Sequence, residues 1–335
     1  MRFLGRFSAF ARAAVLCGLI LIQSLRGGDV LFIGDGADNS VKRFDADTGA
    51  PLDPPDDPFV SGVLGPRGLL IDGGTLLVVN QNVGLNLPGE VLAFDAATGV
   101  FAGAVVAAAD KDAPFAPRGI ALGGDDDLFV ANLTTASGTS SGRVNRYDVT
   151  GGDLLASAVA KGFKNKEYHP RSVVFGPNGL LYVSARTLKM DGLGGAVLRF
   201  HAATFADVLV DDAGGIGQLN RPEGLAFGPD GNLYVTSFSA GPGDTDAVRI
   251  YRPDGTFLDK IDLYSSGQPR AFAQALLFGP GGNLFVPITN TGEVRRYDVE
   301  SGSYDVVVPA GTVDLLQPWY LTFGNTDPST LEYRE

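Results

Sequence analysis

Histidine and cysteine are nearly missing from this chain. Among 335 residues there are two histidines, His169 and His201, and one cysteine, Cys17. Two histidines cannot assemble a three-histidine zinc site. Cys17 lies inside an apolar run near the N-terminus, so removal of that run leaves no thiol and no disulfide. A basic excess is missing too. The formal charge of −12 argues against a general affinity for nucleic acid or anionic membrane, because phosphate binding needs a basic surface. Long stretches rich in Ala, Glu, Lys and Leu are also absent. Gly (46) and Pro (20) are frequent instead, which points to many short elements joined by turns and so to an all-β protein.

The N-terminal residues behave differently from the rest. "MRFLGRFSAFARAAVLCGLILIQSL" carries Arg2, Arg6 and Arg12 ahead of a mostly apolar run from Ala13 to Leu25. A basic region followed by a short apolar one is the pattern of a secretory signal, and the run is shorter than a membrane-crossing helix requires. The expectation is a signal over residues 1–27, a mature chain starting near Asp29, and a secreted or periplasmic protein with no stable membrane insertion after removal.

From there on one phrase recurs. "APRGIALGGDDDLFVAN", "HPRSVVFGPNGLLYVSA", "NRPEGLAFGPDGNLYVTS" and "AQALLFGPGGNLFVPI" align, placing apolar residues at Leu69, Ile120, Val173, Leu225, Leu276 and Leu321. A period near 50 residues means an array of similar units. Each unit reads as four strand-like runs with alternating apolar residues and Gly/Pro/Asp turns, in the fourth unit "EGLAFG", "NLYVTSF", "AVRIYRP" and "TFLDKI". Asp–Gly segments such as "FDADTG" and "YDVESG" read as hairpin turns in which the Asp side chain bonds backbone amides. Four-stranded units of this length predict a β-propeller. Asp29–Asp53 supplies runs matching strands two to four only, and the missing first strand is "PWYLTFG" (Pro318–Gly324). The prediction is therefore a single six-bladed β-propeller domain over residues 29–335, all-β, of four-stranded antiparallel blades, with the sixth blade closed by N- and C-terminal strands.

"RPEGLAFGPDGNLYVTSF…VRIYRPDG" resembles an NHL repeat across essentially all of Asp29–Glu335, and more loosely the gluconolactonase/regucalcin, strictosidine-synthase-like and virginiamycin B lyase propellers. The resemblance implies the fold. It leaves function open, because these groups include hydrolases, lyases and binding platforms.

The phrase changes at the residue after its proline. In a propeller the start of strand one and the end of strand two meet at one face of the central channel, so two rings of side chains are expected at a funnel. The first reads Arg67, Arg118, Arg171, Glu223, Gln274 and Trp319; the second reads Asp35, Asn80, Asn132, Ala185, Ser237 and Ile288. Three successive arginines offer planar donor forks for carboxylate, sulfate or phosphate, and Trp319 offers a stacking face for a sugar or aromatic group. His169, next to Pro170 and Arg171, is placed to act as a general base at the same funnel. The expected ligand is small and anionic or carbohydrate-like, or an acidic segment of a protein partner; the alternative is that each arginine pairs internally and holds the ring together.

The gluconolactonase resemblance further implies a channel cation held by Glu223 with Asp35, Asn80 and Asn132, oxygen donors that suit Ca²⁺. The arginines between them oppose such a cation, and no cofactor is the simpler expectation. Virginiamycin-lyase-like chemistry would use His169 and Glu223. Binding without catalysis is the preferred reading, with a propeller hydrolase or lyase as the alternative. "GGDDDL" and "GPGDTDAV" lack the ligand spacing of a calcium loop and read as turns. Asn132-Leu133-Thr134 is a formal glycosylation sequon.

Overall fold

The computed structural model describes residues 28–125, 127–134, 141–161, 163, 168–187, 194–211, 217–265 and 267–335. The expected signal, with Cys17, lies outside them. Six antiparallel sheets follow one another in chain order. Blade 1 is Pro66–Asp72, Thr75–Asn80, Glu90–Asp95 and Phe101–Val106; blade 2 is Phe115–Leu122, Asp127–Thr134, Arg143–Asp148 and Leu154–Ala158. Blade 3 is Tyr168–Phe175, Leu181–Thr187, Gly195–His201 and Thr204–Val210; blade 4 is Leu225–Phe227, Leu233–Ser237, Ala247–Tyr251 and Phe257–Asp262. Blade 5 is Leu277–Phe278, Leu284–Ile288, Glu293–Tyr297 and Tyr304–Val308. Blade 6 joins Pro318–Phe323 to Val30–Asp35 and Ser40–Asp45. Two short 3₁₀ turns, Pro280–Gly282 and Thr312–Asp314, are the helical elements among the described residues.

The six-bladed reading of the sequence therefore holds, and so does the closure. Leu31 pairs with Phe323 and Ile33 with Leu321, so the two ends of the chain share one ladder. The outer strand of blade 6 is reduced to two isolated bridges, Phe44 to Pro51 and Val41 to Val60, leaving a sheet of three full strands. Pairing both termini inside one sheet removes edges that would otherwise stay open.

Two devices explain why this sequence makes blades that fit. The first is the hairpin turn. Asp45, Asp95, Asp148 and Asp298 each accept a backbone N–H three residues on, from Thr48, Thr98, Gly151 and Ser301. The glycine closing each of these turns has a positive φ of 68–72°, which only glycine adopts freely. The second is the seam between blades. An aromatic side chain of one blade's second strand meets the inner strand of the next edge to face. Phe129–Phe175, Tyr182–Phe227, Tyr234–Phe278 and Phe285–Phe323 have ring centroids 4.9–5.1 Å apart. Such pairs add about 0.5–1.5 kcal/mol beyond the area they bury. The same positions hold Phe32 and Ile71 where blade 6 meets blade 1, and Leu77 and Leu122 where blade 1 meets blade 2.

The hub is built by the residue after each variable position: Gly68, Gly119, Ser172, Gly224, Ala275 and Tyr320. A Cβ on Gly224 would fall 2.8 Å from the Cα of Ala275, and one on Gly119 would fall 2.8 Å from that of Ser172. Small residues thus let the inner strands converge, and the bulky Tyr320 fills most of what remains. The shaft keeps about 30 Å³, room for one water. Its far end is stopped by Leu331. The C-terminal segment crosses that end, its Pro328 and Ser329 carbonyls accepting the N–H groups of Leu122 and Phe175.

Candidate functional site: an arginine funnel

The inner strands deliver the first ring of variable residues to one mouth. Arg67, Arg118, Arg171, Glu223 and Gln274 line a single bowl of about 620 Å³. Arg67 is buried. Its Nε donates to Gln81 Oε1 (2.9 Å), its Nη1 to Gln274 Oε1 (2.6 Å), and its guanidinium lies 3.5 Å from the centre of the Trp319 ring. Arg118 Nη1 donates to the same Gln274 oxygen at 3.2 Å. Two cations therefore share one neutral acceptor, and no carboxylate of a described residue pairs with either. Glu223 is buried and stands against Arg171 (3.5 Å) and Arg186.

The electrostatics follow from that imbalance of four guanidiniums to one carboxylate. Burial opposes the charge on Glu223, yet Arg171, Arg186, Arg118 and Arg67 together hold its carboxyl below the usual range. The arginines feel the opposite pressure. Desolvation, with Arg118 as neighbour, lowers Arg67 well below its ordinary value. Desolvation, with Arg186 and Arg118 nearby, outweighs the attraction of Glu223 and brings Arg171 down to about 10. Arg171 Nε has no hydrogen-bond partner among the described residues. An anion entering the bowl would relieve this repulsion.

Trp319 is placed differently from the expectation. Its ring packs against Gly36, where a Cβ would fall 2.1 Å from it, and Arg67 covers its face. The stacking surface foreseen for a ligand is taken by an internal cation–π contact.

The second ring departs more. Asn80 Oδ1 accepts Leu64 N–H (2.6 Å), Asn132 Oδ1 accepts Phe115 N–H (2.8 Å), and Ser237 Oγ accepts Asn220 N–H (2.9 Å). Asp35 accepts Leu316 and Gln317 N–H and the Nζ of buried Lys42. In each of these blades the amide of the residue three before the variable position is held (Leu64, Phe115, Asn220, Leu316). These side chains are clamps that position the funnel residue. Ala185 and Ile288 lack an oxygen; in blade 3 the Tyr168 amide is held by Ser141 Oγ instead.

The side chains that do reach the bowl from this direction sit one residue further on. Leu133, Arg186, Phe238 and Thr289 line it, Gln81 reaches Arg67, and Gly36 makes room for Trp319. Successive residues of a strand point to opposite sides, so an offset of one residue moves a whole ring from funnel to interior. The signal was in the sequence, one letter to the right.

His169 Nδ1 lies 2.9 Å from the Leu133 carbonyl and is not among the residues lining the bowl. The guanidiniums around Glu223 oppose a channel cation, although its buried Oε2 has no hydrogen-bond partner among the described residues. Glu223 is engaged by two guanidiniums, and Asp35, Asn80 and Asn132 spend their oxygens on backbone amides. In "GPGDTDAV", Asp246 is buried and holds Ser239 N–H, Phe272 N–H and Arg270. In "GGDDDL", where Asp126 is outside the described residues, Asp127 pairs with Arg146.

The loops entering the inner strands are strained. Ala116, Arg221 and Phe272, each two residues before a variable position, have φ of 53°, 45° and 50°; the equivalent residue in blade 1 is Gly65, at 79°.

No family model matches the chain, and no curated protein matches its sequence. Its shape is shared with solved structures. The propeller in a nidogen/laminin complex superposes with a TM-score of 0.62 at 16% identity, over 88% of this chain and 98% of that one. A gluconolactonase of Xanthomonas campestris gives 0.52 at 17%, over 73% and 76%. Virginiamycin B lyase of Staphylococcus aureus gives 0.52 at 15%, over 84% of each. The chain is a six-bladed β-propeller. At these identities the likeness establishes fold, and the relatives span both a protein in a partner complex and enzymes.

Proposed function

We propose that the protein is a binding module, secreted or periplasmic as its first 27 residues suggest, that takes an anionic ligand in the arginine funnel. One observation carries the reading: Arg67 and Arg118 point into one bowl with only the neutral Gln274 between them. Cations held this close, with no carboxylate of a described residue paired to either, raise the energy of the free protein, and an anion offsets that cost. The overall charge of −12 makes such a local positive site selective for ligands small or exposed enough to enter it. The nidogen/laminin complex supplies a precedent for a propeller of this shape engaging a partner. The hydrolase or lyase reading has less behind it. Glu223 is held ionised by two arginines, which leaves it a poor proton donor, and His169 faces a backbone carbonyl.

Titration calorimetry with citrate and sulfate at low ionic strength tests the proposal. The expected result is saturable binding that weakens with added salt and at least about tenfold in Arg118→Ala. Equal affinity of that variant, correctly folded, would refute it.

A further inference from the structure

The bowl is not uniformly polar. Phe238 and Phe272 pack edge to face on its wall, with ring centroids 5.7 Å apart, and Leu133 and Leu316 contribute to its lining. Phe272 is the unusual member. A bulky residue with φ near +50° is strained, and such strain persists only where the surroundings impose it. Here they do: the Phe272 N–H donates to buried Asp246, and the Arg270 guanidinium lies 4.4 Å from the ring centre. The turn itself does not need a phenyl group, because Gly65 fills the same place in blade 1 without penalty. The chain thus carries an aromatic ring, at a conformational cost, where it lines a bowl also lined by Arg67 and Arg118, which pair with no carboxylate of a described residue.

We infer that the ligand is a small aromatic carboxylate, with its acid group on Arg118 and Arg171 and its ring against Phe272. This rests on the anion-binding reading above and narrows it. A bowl of about 620 Å³ suits a one- or two-ring acid. The carboxylate matches the guanidinium fork, and Arg171 Nε is a buried donor with no partner among the described residues. The ring matches an apolar wall that a purely polar anion would leave wet. Trp319 is covered by Arg67 and does not line the bowl, whereas Phe238 and Phe272 do, Phe272 with Arg270 against its ring.

Calorimetry with acetate, benzoate, 2-naphthoate and citrate decides it. In the unmodified protein 2-naphthoate is expected to bind at least about tenfold more tightly than acetate. Phe272→Gly, which suits the backbone, collapses that ratio toward one, and Phe272→Leu leaves part of it. Citrate binding with 2-naphthoate no tighter than acetate would overturn the inference and leave the anion reading standing. Failure of all four probes to bind would sink both. The ratio in the unmodified protein is decisive even if a variant folds poorly, and melting temperatures check that.

Discussion

The two ends of the hub are made from the same six strands and are opposites. At the mouth, where the inner strands begin, Arg67, Arg118, Arg171 and Arg186 surround one Glu223, and the non-glycine residues Ala116, Arg221 and Phe272 lead into the inner strands in left-handed conformations. At the other end the same strands finish in regular backbone pairing. There the C-terminal segment lies across them with Pro328 and Ser329 as acceptors, Leu331 stops the shaft, and Tyr333 packs on Phe323. The mouth concentrates charge and three strained residues; the closed end carries little charge and a single left-handed side chain, Leu331 at φ 56°, in the segment that stops the shaft. The ring is thereby a cup with one opening, and the stability of the closed end supports the unfavourable arrangement at the open one. Sites with uncompensated charge and left-handed backbone are where binding is expected, because neither feature helps a fold on its own.

The largest test of this contrast is at the clamp that joins the ends of the chain on the mouth side. Asp35→Ala removes the acceptor for Leu316 and Gln317 N–H and leaves Lys42, itself buried, without its buried carboxylate partner. Breaking a buried ion pair from one side costs about 3–5 kcal/mol, and the lower end applies because Lys42 keeps the exposed Asp38 and the Asp314 carbonyl as partners. Leu331→Ala at the closed end should cost about 2 kcal/mol, the low end for a buried leucine, since the tail can settle into the space. Urea unfolding of the two variants measures both. A Leu331→Ala effect exceeding that of Asp35→Ala would reverse the picture of which end is held by polar contacts.

The next effect has two signs. Glu223→Gln removes the one carboxylate among the described residues lining the bowl, and stability should fall by roughly 2–3 kcal/mol, moderated because Arg186 is about a quarter exposed. Anion affinity should rise several-fold in the same variant, since nothing then competes for the guanidiniums. The pH dependence follows from the lowered carboxyl. Its stabilisation is fully present above its unfolded value of about 4.3 and is lost as pH falls through the lower folded value. Melting temperature should therefore drop more steeply below about pH 4 in the unmodified protein than in Glu223→Gln. Parallel pH curves for the two would remove Glu223 from the account.

How much of this was readable beforehand depends on which force sets each feature. The blades were legible because turns and strand alternation are local. "FDADTG" and "GPDGN" specify their hairpins wherever they occur, and the absent first strand announced itself as Pro318–Gly324. The first funnel ring was legible because the motif fixes its position. The second ring was misread by one residue: Asn80 and Asn132 look like exposed ligands in sequence, and nothing local says that amides at Leu64 and Phe115 will claim them. Trp319 failed for a related reason. Its ring is covered by Arg67, a residue 252 positions away that ring closure alone brings to it. Arg186 and Phe272 were missed because their roles depend on contacts between blades.

The smallest predicted effect probes strain at the mouth directly. Ala116 holds φ 53° two residues before Arg118, a conformation that costs an alanine about 1 kcal/mol and a glycine almost nothing. Against this, glycine gives the unfolded chain more freedom, worth about 0.5–1 kcal/mol. The two nearly cancel, so Ala116→Gly should change stability by no more than about 0.5 kcal/mol. Gly179 offers the control on the opposite side of the ring. It lies in the turn between the inner and second strands of blade 3 with φ 73°, and Gly179→Ala meets no atom within 4 Å, so only the backbone conformation is tested. By the same arithmetic that substitution should also change stability by no more than about 0.5 kcal/mol, with no contact to confuse the reading. If Ala116→Gly instead destabilised by well over this contact-free control, the methyl group of Ala116 would be providing packing that outweighs its strain. The mouth would then be no more strained than the turns of the closed end.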